Sequence, residues 1–229
     1  MFNRIVLNAP HSSPVFPFGK ECWDSGIDAE IERWTDWYTD WLFQSADPRV
    51  VSVVYPISGF FCDVERLEND PLEAVVQGIV YKQFNGLNRS IPPADEEWAR
   101  RSYYEHIDRL KAAIRDEHTL LIDCHSFPAD LSDVDFCIGF NEDWSRPNDS
   151  VIDLVASTFR YAEYMVGVNT PYSNSISPAN GFEYQSIMIE VNKKEYLGKN
   201  IILSIERVSR LWSSIDGLYK AIWFLPRII

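Results

Sequence analysis

Leu120-Leu121-Ile122-Asp123-Cys124-His125-Ser126 is the stretch whose reading decides the fold. Three apolar residues run straight into a polar cluster that opens Phe127-Pro128, and a long helical pattern precedes them. Such a run reads as a buried strand of a parallel sheet. Open α/β sheets bind ligands just outside the carboxyl ends of their strands. Asp123, His125 and Ser126 are expected there. One other point in the chain is comparable: Ile5-Val6-Leu7-Asn8-Ala9-Pro10 runs into His11-Ser12-Ser13. Two buried strands that each end in His-Ser make a candidate metal or catalytic site.

Outward from these two points the pattern alternates. Residues 3–9 and Val50 to Tyr55 read as strands, with a helix between them from Asp28 to Gln44. Ile31, Trp34, Tyr38, Trp41 and Leu42 supply its helical spacing, and Asp36 and Asp40, four apart, are expected on one face. Ala94 to Glu117 is a second helix, with Asp95, Glu96 and Glu97 in its first turn, where the dipole favours acids. Val134 to Phe140, Tyr164 to Val168 and Gln185 to Ile189 read as strands, and Asn148 to Tyr161 as a helix. A last helix starts at Gly198 or Lys199 and runs to about Ala221. Residues 67–93 carry turn residues and little periodicity, and read as a lid or binding loop with short elements inside. The alternation predicts an α/β fold: a doubly wound three-layer sandwich on a mostly parallel sheet.

The bulk numbers exclude some functions. A chain of 229 residues reads most simply as one domain, spanning 1–229. Its net charge of -13 argues against nucleic acid or an anionic membrane as partner, since both need a basic face. It leaves room for a small anionic substrate held by a few local arginines. None of the four cysteines forms a CxxC pair, so a thiolate zinc site is not expected. There is no run of about 18 apolar residues and no visible signal peptide, so a cytoplasmic protein is the expectation.

Four strand ends carry polar clusters: His11-Ser12, Asp63 with Arg66, Asp123 with His125, and Glu190 with Asn192. Two imidazoles and a carboxylate with one open position form the ligand set of a hydrolytic zinc site, and a free carboxylate nearby can act as its general base. No Gly-x-Ser-x-Gly elbow surrounds Ser12 or Ser126, which argues against a serine nucleophile.

Several segments occur in an order that resembles the N-formylglutamate amidohydrolase family. They are Pro-His-Ser at His11, Thr35-Asp36-Trp37 with Asp40, Asp63-Val64-Glu65-Arg66, Arg100-Arg101 before Tyr103-Tyr104, Asp123-Cys124-His125-Ser126, and Ile189-Glu190-Val191-Asn192 with Tyr196. They span residues 5–197. Glu65 stands where the family has asparagine, and Gly59 near a frequent family arginine. The resemblance implies a phosphorylase/hydrolase-like, zinc-peptidase-like fold, similar in plan to zinc carboxypeptidases and cell-wall amidases. It implies a Zn2+ held by His11, Asp36 and His125, with Glu190 as the catalytic base. Asp63, Arg66, Arg100, Arg101 and Asn192 would contact the substrate, a small anionic N-acyl amino acid. Asp123 and Ser126 would support the metal ligands from behind. Asp40 and Glu32 remain rivals to Asp36. A peptide or cell-wall amide as substrate, and a scaffold that has lost activity, are the other two readings.

Overall fold

The computed structural model describes residues 2–66 and 71–225. Six strands form one sheet: β1 (Arg4–Ala9), β2 (Val50–Val54), β5 (Thr119–Phe127), β6 (Phe136–Gly139), β7 (Val166–Val168) and β8 (Gln185–Asn192), in the order β2-β1-β5-β8-β6-β7. The first four of that order run parallel. β6 pairs antiparallel with β8, and β7 follows β6. The sheet is therefore mostly parallel, as expected.

The core explains why every residue of β5 is buried. Strand side chains alternate between faces. Leu120, Ile122 and Cys124 join Ile5, Leu7, Ile187 and Ile189 against one helical layer. That layer is α4 (Asp149–Tyr161) and α5 (Ile205–Ile222), with Phe159 stacked on Phe136 at 3.9 Å. Val6, Val53 and Leu121 face the other layer, where α3 (Pro93–Ala113) contributes Ala99, Tyr103, Ile107 and Leu110. Helices on both faces make the three-layer sandwich. Beyond Leu121 the α3 side of β5 turns polar, at Asp123 and His125.

Two helix expectations are corrected. The helix read over Asp28–Gln44 is two pieces, α1 (Ile27–Trp34) and α2 (Thr39–Leu42). Thr35 is extended and Tyr38 is left-handed, with φ of 65°. The Asp36 N–H donates to the His11 carbonyl at 2.9 Å, and the Asp36 carbonyl accepts the Thr39 hydroxyl at 2.9 Å. The break turns Asp36 inwards while Asp40 and Glu32 stay exposed, so Asp36 and Asp40 share no face. A buried carboxylate needs partners, and that requirement overrides a helical periodicity worth only tenths of a kcal/mol per residue. The last helix also starts late, at Ile205, because Asn200 and Ile201 take left-handed conformations and a short bridge joins Leu197 to Leu203.

Of the stretch 67–93, residues 67–70 lie outside the described residues. The remainder holds a 3₁₀ turn (Pro71–Val75) and a hairpin of β3 (Gln83–Phe84) and β4 (Leu87–Asn88). No helix among the described residues is long and apolar enough to cross a membrane.

Candidate active site

A cavity of about 350 Å³ opens at the carboxyl ends of β1, β5 and β8, a size ordinary for small-ligand sites. Register puts its polar residues together. Asn8 on β1 lies opposite Asp123 on β5, and His125 lies opposite Glu190 on β8. The inter-helix break adds Asp36, and the turn after β2 adds Gly59, Asp63, Glu65 and Arg66.

His11, Asp36 and His125 offer donor atoms that all lie within 4.8 Å of one another. Asp36 Oδ2 is 3.0 Å from His125 Nδ1 and 3.9 Å from His11 Nδ1, while Asp36 Oδ1 accepts the Ser126 hydroxyl at 3.1 Å. A tetrahedral ion with bonds of about 2.0–2.1 Å sets its ligand atoms roughly 3.3 Å apart, between these two separations. The other nitrogen of each ring turns towards a carboxylate. His11 Nε2 donates to Asp63 Oδ1 at 2.9 Å, and His125 Nε2 is 3.3 Å from Asp123 Oδ1 and 3.7 Å from Glu65 Oε2. Carboxylates behind histidine rings are the usual support of metal-binding imidazoles, fixing tautomer and orientation. The donor set therefore suits a divalent metal ion, with both Nδ1 atoms and Asp36 facing it.

The electrostatics are those of a charged cluster in a poorly solvated place. Burial alone would lower both histidine pKa values. Asp63 outweighs it for His11, and Asp123 with Glu65 outweighs it for His125, so both are raised. Burial pushes Asp63 upwards, but His11 and Arg66 hold it far below the usual carboxylate range. Glu65 is pushed up to about 7 by burial and the nearby Asp123. Glu190 is pushed up to about 8, by burial first and then by Asp36 and Asp123, against the opposing pull of His125. Its Oε2 is buried without a hydrogen-bond partner among the described residues. A carboxyl group so poised is a proton acceptor and donor near neutral pH.

Not every expected residue reaches the cavity. Asp63 and Arg66 line it together: Arg66 Nε sits 3.2 Å from Asp63 Oδ2, and Arg66 Nη2 donates to the Tyr81 hydroxyl at 3.0 Å. Arg100 pairs with Glu96 on the same face of α3, at 3.2 Å, and Arg101 is exposed; neither lines the cavity. Asn192 is buried at the end of β8, where its amide donates to the Ser132 and Val134 carbonyls and its oxygen accepts the Lys194 N–H. It serves the turn beyond β8.

Four contributors were given no site role in the sequence reading. Asn8 donates to Asp123 Oδ1 at 2.9 Å and to Glu65 Oε1 at 3.0 Å, so it ties the two carboxylates behind His125 together. Its signal was a polar residue inside the apolar run Ile5–Ala9. His106 on α3 is fully buried against Asn8 at 2.9 Å. Tyr81 donates to Asp63 Oδ2. Gly59 lies close to His11: a Cβ there would stand 3.0 Å from His11 Cδ2 and would press the ring aside by a few tenths of an ångström. Neither Tyr81 nor Gly59 carried a local signal, because both act through the turn that brings them in.

The chain overlays closely on known folds. A solved structure of N-formylglutamate amidohydrolase from Ralstonia eutropha JMP134 superposes with a TM-score of 0.77 at 15% identity, covering 97% of this chain and 94% of that one. The gene product Atu2144 of Agrobacterium tumefaciens gives 0.64 at 15% identity, covering 96% and 92%. At such identities the likeness speaks for the fold alone. No curated protein matches the sequence. Residues 3–197 match the family described as N-formylglutamate amidohydrolase. With most of its length matched, the chain belongs to the N-formylglutamate amidohydrolase family.

Proposed function

We propose that the protein is a zinc-dependent amidohydrolase that cleaves the C–N amide bond of a small N-acyl amino acid. The observation that carries this reading is the pairing of a three-donor cluster with an unpartnered, buried Glu190 in the same cavity. His11, Asp36 and His125 would hold the ion. Zinc in such a site supplies Lewis acidity towards a water and towards an acyl oxygen.

The remaining chemistry belongs to the chain. Asp63 and Asp123 keep the two imidazole rings turned so that Nδ1 faces inwards. The Glu190 carboxylate accepts a proton from the attacking water as the new C–O bond forms. It returns that proton to the departing nitrogen as the C–N bond breaks, leaving a carboxylic acid and a free amine. A group with pKa near the working pH does both steps well. Arg66, held by Asp63 and Tyr81, places a positive charge in the lining that would attract the substrate carboxylate. Trp34, Phe60, Phe84 and Phe127 give the cavity apolar walls.

The test is release of amine and carboxylate from a panel of N-formyl and N-acetyl amino acids by the zinc-loaded protein, with Glu190→Gln beside it. Turnover by the wild type and its near-loss in the variant are expected. Absence of turnover across the panel would refute the proposal.

A further inference from the structure

One hydrogen bond ties the strand that carries Glu190 to the helix end that precedes Asp36. Lys193 lies three residues beyond Glu190, and its Nζ donates at 2.5 Å to the carbonyl of Arg33, three residues before Asp36. We infer that Lys193 is a positioning residue, which holds the Asp36 segment against the end of β8 so that the metal ligand and the base keep their places in one cavity. The inference rests on the roles proposed above for Asp36 and Glu190, and adds the group that fixes one relative to the other.

The end of α1 is the first argument. The last turn of a helix leaves carbonyls that need partners from outside the helix. The Ile31 carbonyl accepts the Thr35 N–H at 3.0 Å, and the Glu32 carbonyl accepts the Trp37 indole N–H at 2.8 Å. The Arg33 carbonyl is next in the row, and Lys193 meets it from across the molecule. The chain then leaves the helix at Thr35, which is extended, and passes directly to Asp36. Fixing the Arg33 carbonyl therefore fixes the approach to Asp36. The other end of the tie is firm as well. Lys193 opens a 3₁₀ turn (Lys193–Glu195), and its own carbonyl accepts the Leu197 N–H at 2.8 Å. The fully buried Asn192 clamps that turn through Lys194, Ser132 and Val134.

Charge is the second argument. Lys193 is only 8% exposed, and a buried ammonium is costly unless negative groups surround it. Here they do. The carboxyl end of α1 presents the negative end of the helix dipole. Asp36 and Glu190 attract the ammonium, while burial and the Arg33 side chain oppose it. Burial, the largest influence, brings its pKa down to about 8, so the group stays charged at neutral pH. An apolar side chain of similar length would avoid the cost of burial, but it could neither hold the Arg33 carbonyl nor offset the charges of Asp36 and Glu190.

Two measurements on the full chain test this, with Lys193→Met as the probe and Lys194→Met as its control. Lys194 sits on the same turn, but its Nζ donates to the Asp133 carbonyl and pairs with Asp135, away from α1. The first measurement is hydrogen–deuterium exchange on the metal-stripped proteins. Residues 33–39 should exchange faster in Lys193→Met than in wild type or Lys194→Met, while α4 and α5 keep the wild-type pattern. The second is zinc affinity by competition with a fluorescent chelator, where Lys193→Met should bind about tenfold more weakly or worse and Lys194→Met should match wild type. Unchanged exchange at 33–39, acceleration spread evenly over the chain, or equal effects of the two substitutions overturns the inference. So does zinc affinity that Lys193→Met leaves intact. A wild type that takes up no zinc removes the proposed metal centre, whereas faster exchange confined to 33–39 still keeps Lys193 as the tie between β8 and the Asp36 segment.

Discussion

His106 should make the protein acid-sensitive in a way that a single substitution reveals. The ring is fully buried on α3. Asn8 spends its N–H groups on Asp123 and Glu65, so its oxygen can only accept, and His106 Nε2 must donate to it at 2.9 Å. The other nitrogen, Nδ1, then accepts from Arg109 Nη2 at 3.3 Å. A proton on Nδ1 would break that contact and set a cation beside a guanidinium. Burial first, and Arg109 second, push the pKa down from 6.5 to about 3. Above pH 6.5 the ring is neutral in both folded and unfolded chains and its titration costs nothing. Below 6.5 the unfolded chain takes up a proton that the folded one refuses. Stability then falls by about 1.4 kcal/mol per pH unit, or about 2 kcal/mol between pH 6.5 and 5, and the loss approaches its limit near pH 3. His106→Gln keeps an N–H for Asn8 and does not titrate. Urea unfolding of metal-stripped wild type and variant at pH 7.5, 6.5, 5.8 and 5.0 would show it, since contributions from other titrating groups cancel in the difference. The destabilisation caused by the variant should shrink by about 2 kcal/mol between pH 6.5 and 5. A difference that stays constant with pH would refute the buried, neutral assignment.

Other expectations follow from the same contacts. Glu190→Gln should lower kcat by about 10²–10⁴-fold, the range for loss of a general acid–base group, while leaving zinc stoichiometry unchanged by elemental analysis. Asp36→Ala should abolish metal retention and Asp40→Ala should not, because only Asp36 turns inwards at the break between α1 and α2; equal effects in equilibrium dialysis would contradict the placement. Asp63→Asn should weaken metal affinity by about 10–100-fold, since it supports the His11 ring from behind. Phe159→Ala removes a fully buried ring stacked on Phe136 and should cost about 3–5 kcal/mol in chemical unfolding.

The strands were legible because burial on both faces leaves a plain mark. Leu120–Ile122 and Ile5–Leu7 are continuous apolar runs, and the polar residues that close them lie at the sheet edge where ligands bind. His11, His125 and Glu190 were readable for the same reason. The break at Thr35 was not readable, since Ile31, Trp34, Trp41 and Leu42 keep a helical spacing across it. What interrupts the helix is a tertiary demand, the seating of Asp36 against His125 and Ser126. Arginines 100 and 101 show the opposite failure. Motif order suggested the cavity, but α3 exposes Arg101 and pairs Arg100 with Glu96, outside the lining. Asn8 and His106 act on the site through each other, and a contact between β1 and α3 has no signature in either segment alone.

The most direct test of the account is the metal content of the purified chain, prepared without chelator and after dialysis against zinc, beside His11→Ala and His125→Ala. About one zinc per wild-type chain, lost in both variants, is the predicted result. A wild-type chain that stays metal-free after zinc is supplied, or variants that keep the metal, would contradict the proposal that His11, Asp36 and His125 form the centre of this site.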